Sequence, residues 1–256
     1  YRAGQNIDDA IQGYIDQGLD KGEATLKGIE QFAPECAILK VAGSEALDYV
    51  TDEAVQIFGG MGYSAESTVE RAYRDARINR IFEGTNEINR LLTVDMVLKR
   101  ALKGELDLMG PAMSVANELV SIPEMKDPTE GPLGAEFDAL EGFKKSILMV
   151  AGSAVQKLMQ SLAKEQEVLM NIADMSIDTY IAESTLLRVQ QMIDAQGEEA
   201  CKEQIAIVRT LFYDTADKIN KAGKDAVNSF AEGDELRMMM MGLKRFTKTQ
   251  PFNVKE

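Results

Sequence analysis

The residues best suited to acid–base chemistry surround one glutamate, Glu83, which follows Ile81 and Phe82 and precedes Gly84. The chain contains no histidine, so a general base must be a carboxylate or a lysine, cysteine or tyrosine with a shifted pKa. Apolar surroundings penalise the charged form of a carboxylate and make it a better base near neutral pH. Gly84 would let a ligand approach the backbone closely. We interpret Glu83 as a candidate general base; an ordinary solvated loop carboxylate is the alternative.

A helix is predicted directly after this loop. Apolar residues recur at roughly helical spacing from Ile88 to Leu98, and Thr85 is suited to cap the helix start. A helix N-terminus offers free backbone N–H groups and partial positive charge, which suits an anionic diphosphate. The sequence therefore predicts that a base and a diphosphate site lie within a few residues of each other.

A glycine-rich turn, Gly59-Gly60 followed by Gly62, is predicted to end a long apolar-periodic helix. Such a turn exposes backbone amides, and nearby Gln56 offers both a donor and an acceptor. The turn therefore fits the polar edge of a nucleotide. Taken alone, however, glycines at this position more often serve only to end the helix.

The stretch from Gln56 to Arg90 resembles the C-terminal signature of the flavin-dependent acyl-CoA dehydrogenases. The residues that fall at the spacings of that family's second signature are Gln56, Gly59, Gly60, Gly62, Tyr63, Glu66, Arg71 and Asp75. The later segment Phe82-Glu83-Gly84-Thr85 looks like the segment that carries the base in the medium- and very-long-chain members.

This resemblance implies a role for each matching residue. Glu83 would abstract the α-proton of an acyl-CoA thioester beside Gly84, and a hydride would pass from the β-carbon to the flavin, giving the trans-2-enoyl-CoA. The residues that match the stretch touching the diphosphate and adenosine part of FAD are Thr85, Asn86 and Glu87. Those that match the stretch reaching the FAD of the neighbouring subunit are Gln56, Gly59 and Gly60. No metal is expected.

Composition narrows the class of protein further. Hydrophobic residues make up 45% of the 256 residues and charged residues 27%, which is typical of a soluble globular protein. The two cysteines lie far apart in sequence, which argues against a disulfide framework and for a reducing compartment. The net charge of −14 argues against nucleic acid as a partner. A bacterial cytoplasm fits best, or a mitochondrial matrix in a eukaryote.

The expected fold is all-α, because no strand alternation of useful length occurs. The helices predicted in the first half cover residues 7–18, 34–58, 71–79 and 85–103, with Gly22 as a breaker and Ser67-Thr68 as a cap. Glycines and prolines punctuate residues 104–134 and indicate a linker. The predicted domains are an acyl-CoA dehydrogenase C-terminal helical domain at 1–122, a linker at 123–134 and an additional helical bundle at 135–256.

The second half reads as an antiparallel helical bundle with short connections. An apolar stripe is predicted to continue from Phe137 to Ile172. The helices predicted after it cover residues 177–193, 200–220, 226–230 and 236–246. The run Met238–Met241 is expected to fill the core, with an adaptable binding surface as the alternative.

The length of this second half resembles the very-long-chain members of the family, which are homodimers. The resemblance implies a fatty acyl-CoA substrate, FAD as cofactor and an electron-transfer flavoprotein as electron acceptor. Some of these relatives attach to membranes through the segment that follows the catalytic domain. Here residues 104–134 contain few basic residues, so membrane association is not expected.

Family members carry a helical domain and a β-domain upstream of the matching region, with an Arg-x-x-Phe-Gly segment before it, and neither occurs here. We therefore expect this chain to be the C-terminal part of a longer enzyme and to be inactive by itself. Three alternatives stay open: a catalytically silent assembly or scaffold protein, an acyl-CoA oxidase that uses oxygen, and a helical interaction domain without flavin.

Overall fold

The computed structural model describes residues 1–121, 127–250 and 253. Over these residues the fold is all-α, as the sequence predicts: ten α-helices and several short 3₁₀ turns occur, with no β-strand. The chain divides into two compact units, Tyr1–Val97 and Leu98–Glu256. In the described part of the chain, no helix is long and apolar enough to cross a membrane.

The N-terminal unit is built from helices α1 (Arg2–Asp16), α2 (Lys21–Gln31), α3 (Ala33–Phe58) and α4 (Thr68–Arg77), and from the first part of α5 (Asn86–Leu102). Helix α1 packs on α2, and α4 packs on α3. The predicted long helix is confirmed, with Pro34 in its first turn. The predicted cap of α4 is also confirmed, because Ser67 Oγ accepts a hydrogen bond from the N–H of Val69 at 3.3 Å.

The beginning of the chain differs from the prediction. Helix α1 starts at Arg2, and Gly22 does not break a helix but lies in the first turn of α2. Asp20 is the N-cap of α2, since its carboxylate accepts hydrogen bonds from the N–H groups of Gly22 at 2.9 Å and Glu23 at 3.2 Å. These two hydrogen bonds offset the helix-weakening effect of Gly22. Sequence reasoning that treats Gly22 as a breaker leaves out this cap and misses α2 for that reason.

The C-terminal unit contains α6 (Met109–Val120), α7 (Gly134–Leu158), α8 (Gln166–Gln196), α9 (Lys202–Phe230) and α10 (Gly233–Phe246). Helices α7, α8 and α9 pack on one another, and α10 packs on α7 and α9. Phe143 and Phe212 stack at the centre with their ring centroids 5.7 Å apart. At Gly142 the backbones of α7 and α10 nearly touch, since a Cβ there would lie 2.2 Å from the carbonyl oxygen of Phe246.

Two predicted boundaries in this unit are wrong. The apolar stripe from Phe137 to Ile172 is interrupted by a 3₁₀ turn at Met159–Lys164, where Met159 adopts a φ of 48° without any glycine or proline to signal it. Residues 202–230 form one helix, because Gly223 does not end it. A Cβ at Gly223 would lie 2.5 Å from a Leu243 methyl carbon, so this glycine permits close packing with α10.

The methionine run is buried at only some of its positions, and part of the predicted linker lies outside the described residues. Met239 is buried, as expected of a core residue, whereas Met241 is 72% exposed. Pro123 and the rest of 122–126 lie outside the described residues. Thr129 is fastened to α7, because its N–H and hydroxyl donate to the carboxylate of Asp138 at 3.0 and 2.6 Å. The domain division at 123–134 therefore stays a prediction.

Candidate active site

The glycine turn follows the end of α3. Gly59 has a φ of 61°, and a 3₁₀ turn runs over Gly59–Tyr63. Gly62 is buried against α3, where a Cβ would come within 2.8 Å of the carbonyl oxygen of Val55. Gln56, Gly59 and Gly60 are exposed. The turn thus ends the helix and leaves the three residues predicted to contact FAD open to solvent.

The chain reaches the candidate base through α4 and the short 3₁₀ turn Ile78–Arg80. The side-chain amide of Asn79 donates to the carbonyl oxygens of Asp75 at 3.0 Å and Ala76 at 3.2 Å, and so satisfies the end of α4. Arg80 Nη1 donates to Asp48 on α3 at 2.8 Å. The segment before the loop is therefore fixed to α3 by an ion pair.

Glu83 and Gly84 form a left-handed turn, with φ angles of 55° and 78°. For a residue with a side chain this conformation costs roughly 1–2 kcal/mol, so other contacts must hold it. The carboxylate of Glu83 is exposed, and Ile81 and Phe82 are 49% and 48% exposed. The expected apolar enclosure of Glu83 is therefore not formed by the described part of this chain, because neighbours in sequence need not fold over a loop residue.

Hydrogen bonds to the backbone hold the turn. The side-chain amide of Asn89 lies 2.8 Å from the carbonyl oxygen of Gly84, 3.1 Å from that of Thr85 and 3.4 Å from that of Glu83. Lys40 Nζ on α3 donates to the same Gly84 oxygen at 2.6 Å. A charged donor forms the stronger kind of hydrogen bond. The loop backbone is thus tied to both α5 and α3.

Asn86 is the most buried polar residue of the site, with 1% of its surface exposed. Its Nδ2 donates to Ser44 Oγ at 2.9 Å and to Glu45 Oε1 at 3.1 Å, and its Oδ1 accepts from Lys40 Nζ at 2.7 Å. The side chain predicted to contact FAD is therefore directed into the unit. A contact between this residue and a cofactor would have to come from its backbone N–H.

The start of α5 stabilises negative charge, as the sequence predicts. Thr85 Oγ1 accepts a hydrogen bond from the N–H of Ile88 at 3.3 Å, so Thr85 caps the helix. The pKa of Glu87 lies below its ordinary value, mainly because its own backbone N–H binds the carboxylate and then because the Thr85 hydroxyl does. The charges of Arg90 and Arg80 lower it further. This helix end is a place where an anion is favoured.

A polar face of α3 provides the partners of Gly84, Asn86, Arg80 and Arg90, and sequence reasoning missed it. The residues on it are Lys40, Ser44, Glu45 and Asp48. Glu45 binds Arg90 through two hydrogen bonds of 2.8 and 3.1 Å. Three of the four recur at intervals of four residues, the spacing of one helix face. That spacing within a predicted helix was the available signal.

Comparison with known proteins identifies the family of the chain. Two family models, both described as the C-terminal domain of acyl-CoA dehydrogenase, match residues 17–98 and 142–245. The chain is 42% identical over 255 residues to a probable acyl-CoA dehydrogenase of Bacillus subtilis, which covers 99% of this chain and 43% of that protein. It is 30% identical over 253 residues to the mitochondrial very long-chain specific acyl-CoA dehydrogenase of Macaca fascicularis, covering 91% and 37%.

The structural comparison leads to the same family. The crystal structure of an acyl-CoA dehydrogenase complexed with FAD from Bacillus anthracis matches with a TM-score of 0.94 and 40% identity, over 99% of this chain and 43% of that one. The chain thus spans less than half the length of these relatives. With both halves matched by the family models and the whole chain by these relatives, the chain belongs to the acyl-CoA dehydrogenase family.

Proposed function

We propose that this chain is the C-terminal helical part of an FAD-dependent acyl-CoA dehydrogenase in which Glu83 is the catalytic base. The observation that carries the proposal is the state of Glu83: its carboxylate is exposed, while its backbone lies in a left-handed turn held by Asn89 and Lys40. A base needs both access to the substrate and a fixed direction. Two donors from α3 and α5 hold this costly turn, which supports a fixed role for Glu83.

In the proposed reaction Glu83 takes the α-proton of a fatty acyl-CoA thioester and becomes a neutral carboxylic acid. FAD, when bound, accepts the hydride that leaves the β-carbon, so the product is the trans-2-enoyl-CoA. Gly84 lies beside the substrate. A bound acyl chain would cover Ile81 and Phe82, which are half exposed here, and would supply the apolar surroundings that make Glu83 a stronger base.

The residues assigned to FAD fit an anionic nucleotide in different ways. At the start of α5, the Glu87 backbone N–H and then the Thr85 hydroxyl lower the pKa of Glu87, which supports a site for the negative charge of a diphosphate. Thr85 would bind through its hydroxyl or N–H, Asn86 through its N–H, and the exposed Glu87 would turn aside for the diphosphate. Gln56, Gly59 and Gly60 would reach the FAD of the neighbouring subunit from their exposed turn.

The match to the very long-chain relative continues through 91% of this chain, and thus through most of the C-terminal unit. We therefore place the enzyme with the very-long-chain type, acting in fatty acid β-oxidation as a homodimer that passes electrons to an electron-transfer flavoprotein. The cytoplasm of a bacterium is the proposed compartment. The chain alone would lack most of the flavin site and would be inactive.

The decisive experiment is the visible absorption spectrum of the longer enzyme before and after anaerobic addition of a long-chain acyl-CoA. We expect an oxidised flavin that bleaches. In Glu83→Gln, flavin content and acyl-CoA binding should persist, while the bleaching rate falls by about two to four orders of magnitude, the usual effect of losing a positioned base. The matched control is Glu53→Gln, an exposed glutamate of α3, which should bleach at the normal rate.

Each other outcome points to a different function. Substantial activity in Glu83→Gln would remove Glu83 from the role of base. A bound flavin that stays oxidised would indicate another substrate class, and oxygen consumption with acyl-CoA would indicate an oxidase. A protein that takes up no FAD would indicate a silent scaffold.

A further inference from the structure

The carbonyl groups of residues 83–85, called the base loop below, lie close to two side-chain donors. The carbonyl oxygen of Gly84 accepts from Lys40 Nζ at 2.6 Å and from Asn89 Nδ2 at 2.8 Å. A carbonyl oxygen has two lone pairs, so this one is fully used. The same Asn89 amide also lies within hydrogen-bond distance of the carbonyl oxygens of Thr85 and Glu83. One donor comes from α3 and the other from α5, so the loop is bound to two helices.

Each donor is itself held in place. Lys40 Nζ also donates to Asn86 Oδ1 at 2.7 Å, and the Asn86 amide is bound to Ser44 and Glu45 on the same helix as the lysine. Asn89 is buried at 8% exposure in the first turns of α5. Each donor is thus held by contacts or burial besides its bond to the loop, so a movement of the loop would break these hydrogen bonds.

Gly84 is the residue that permits this arrangement. Its φ of 78° belongs to the region that favours glycine, and a Cβ there would lie 3.0 Å from the Asn89 amide nitrogen. The absence of a side chain lets the amide reach the carbonyl. The left-handed turn at Glu83 and Gly84 sets the direction in which the Glu83 side chain leaves the backbone.

We propose that Lys40 and Asn89 are positioning residues for the base Glu83, an inference that rests on the proposed function. They act through the Glu83-Gly84 turn and contact no substrate. Without them the turn would relax toward the right-handed backbone that a glutamate prefers, and the carboxylate would point elsewhere. A displacement of about 1 Å is enough to slow an enzymatic step about a hundredfold.

The test compares Lys40→Met and Asn89→Leu in the longer flavin-loaded enzyme with two matched controls. Lys27→Met removes an exposed lysine of α2 that pairs with Glu23, and Asn171→Leu removes an amide that also binds a backbone carbonyl, that of Glu167 on α8. Lys40→Arg keeps a charged donor and serves as the conservative rescue. Two quantities are measured: the rate of flavin reduction per bound flavin by a long-chain acyl-CoA, and amide hydrogen exchange over residues 82–86.

In Lys40→Met and Asn89→Leu we expect flavin reduction to slow about 10- to 100-fold, the usual span for a mispositioned catalytic group. Flavin content and acyl-CoA affinity should stay within about twofold, while exchange over 82–86 should rise about tenfold with the loss of local structure. Both controls should match the unmodified enzyme, and Lys40→Arg should recover most of the rate.

Three results would overturn the inference. Unchanged exchange over 82–86 would show that the two residues do not hold the loop. Faster exchange with an unchanged rate would show that holding the loop does not position the base. Lower flavin content with an unchanged rate per bound flavin would show a role in folding alone. If the unmodified enzyme is not reduced by acyl-CoA, the proposed function fails, and the exchange result still decides whether Lys40 and Asn89 fix the loop.

Discussion

The interiors of the two units are stabilised by different kinds of interaction. Of the twelve largest side chains that are fully buried among the described residues, eleven lie in the C-terminal unit, and Val41 alone lies in the N-terminal unit. The N-terminal unit instead buries polar side chains that bind partners on other segments, Asn86 and Asn89 above all. Apolar packing tolerates small shifts, whereas hydrogen bonds specify direction. The unit that carries the candidate base is thus the one in which buried hydrogen bonds fix the directions of side chains and backbone groups.

The largest effect that this contrast predicts is on the core of the C-terminal unit. Phe143→Ala should lower the free energy of unfolding by about 3–5 kcal/mol, because it removes a fully buried ring stacked on Phe212. Tyr213→Ala, at a more exposed position on α9, is the control with a smaller expected loss. Urea unfolding of the chain measures both. A loss below about 1 kcal/mol for Phe143→Ala would contradict a packing-dominated unit.

An intermediate effect is expected from the polar interior of the N-terminal unit. Asn86→Leu should cost about 1–3 kcal/mol, because it leaves Lys40, Ser44 and Glu45 each without one hydrogen-bond partner. The matched control is Asn171→Leu, which removes an amide that donates to the Glu167 carbonyl of its own helix α8. This change should alter stability by less than about 0.5 kcal/mol. Equal losses of stability in Asn86→Leu and Asn171→Leu would contradict the view that buried hydrogen bonds matter more in the N-terminal unit.

The base loop shows how far sequence reasoning reaches. The Thr85 cap could be predicted and is confirmed, because its signal is local: a threonine before a helical period. The role of Glu83 as base stays a prediction, and the apolar enclosure expected around it is not formed by the described residues. The burial of Asn86 could not be predicted, since its partners Ser44 and Glu45 lie about 40 residues earlier and meet it only after α3 packs. Such long-range polar pairing leaves no local pattern.

The same limit applies to the fold. The all-α class, α3 and the cap of α4 follow from periodicity and from the capping residues Pro34 and Ser67. The break at Met159 does not, because no glycine or proline marks it and apolar residues continue on both sides. Periodicity reports that a segment is buried on one face, and it does not report where one buried helix gives way to the next.

The smallest expected effect concerns two carboxyl groups whose pKa values move in opposite directions. Burial raises the pKa of Glu136 in the C-terminal unit above 4.5, although its own N–H and Arg209 oppose this. Backbone and Thr85 hydrogen bonds lower the pKa of Glu87 in the N-terminal unit below 4.5. A carbon-13 NMR titration should therefore give a higher midpoint for Glu136 than for Glu87. Equal midpoints would contradict the contrast.

These shifts also fix the sign of the pH dependence of stability. The folded state holds the Glu87 proton more weakly than the unfolded state, so the stability contributed by Glu87 is present above pH 4.5 and is lost as pH falls through the lowered value. Glu136 behaves in the opposite way: its penalty grows as pH rises from 4.5 through the raised value. Thermal unfolding of Glu87→Gln and Glu136→Gln, compared with the unmodified chain at several pH values, measures both.

Helix α3 connects the two segments assigned to ligands. Lys40, in the first half of the helix, donates a hydrogen bond to the base loop, and Gln56, near the end of the helix, precedes the glycine turn. Gln56 lies sixteen positions after Lys40 in one continuous helix, a distance of about 24 Å at 1.5 Å per residue. A continuous helix fixes this spacing, so the base loop and the glycine turn keep a constant separation unless α3 itself bends or breaks.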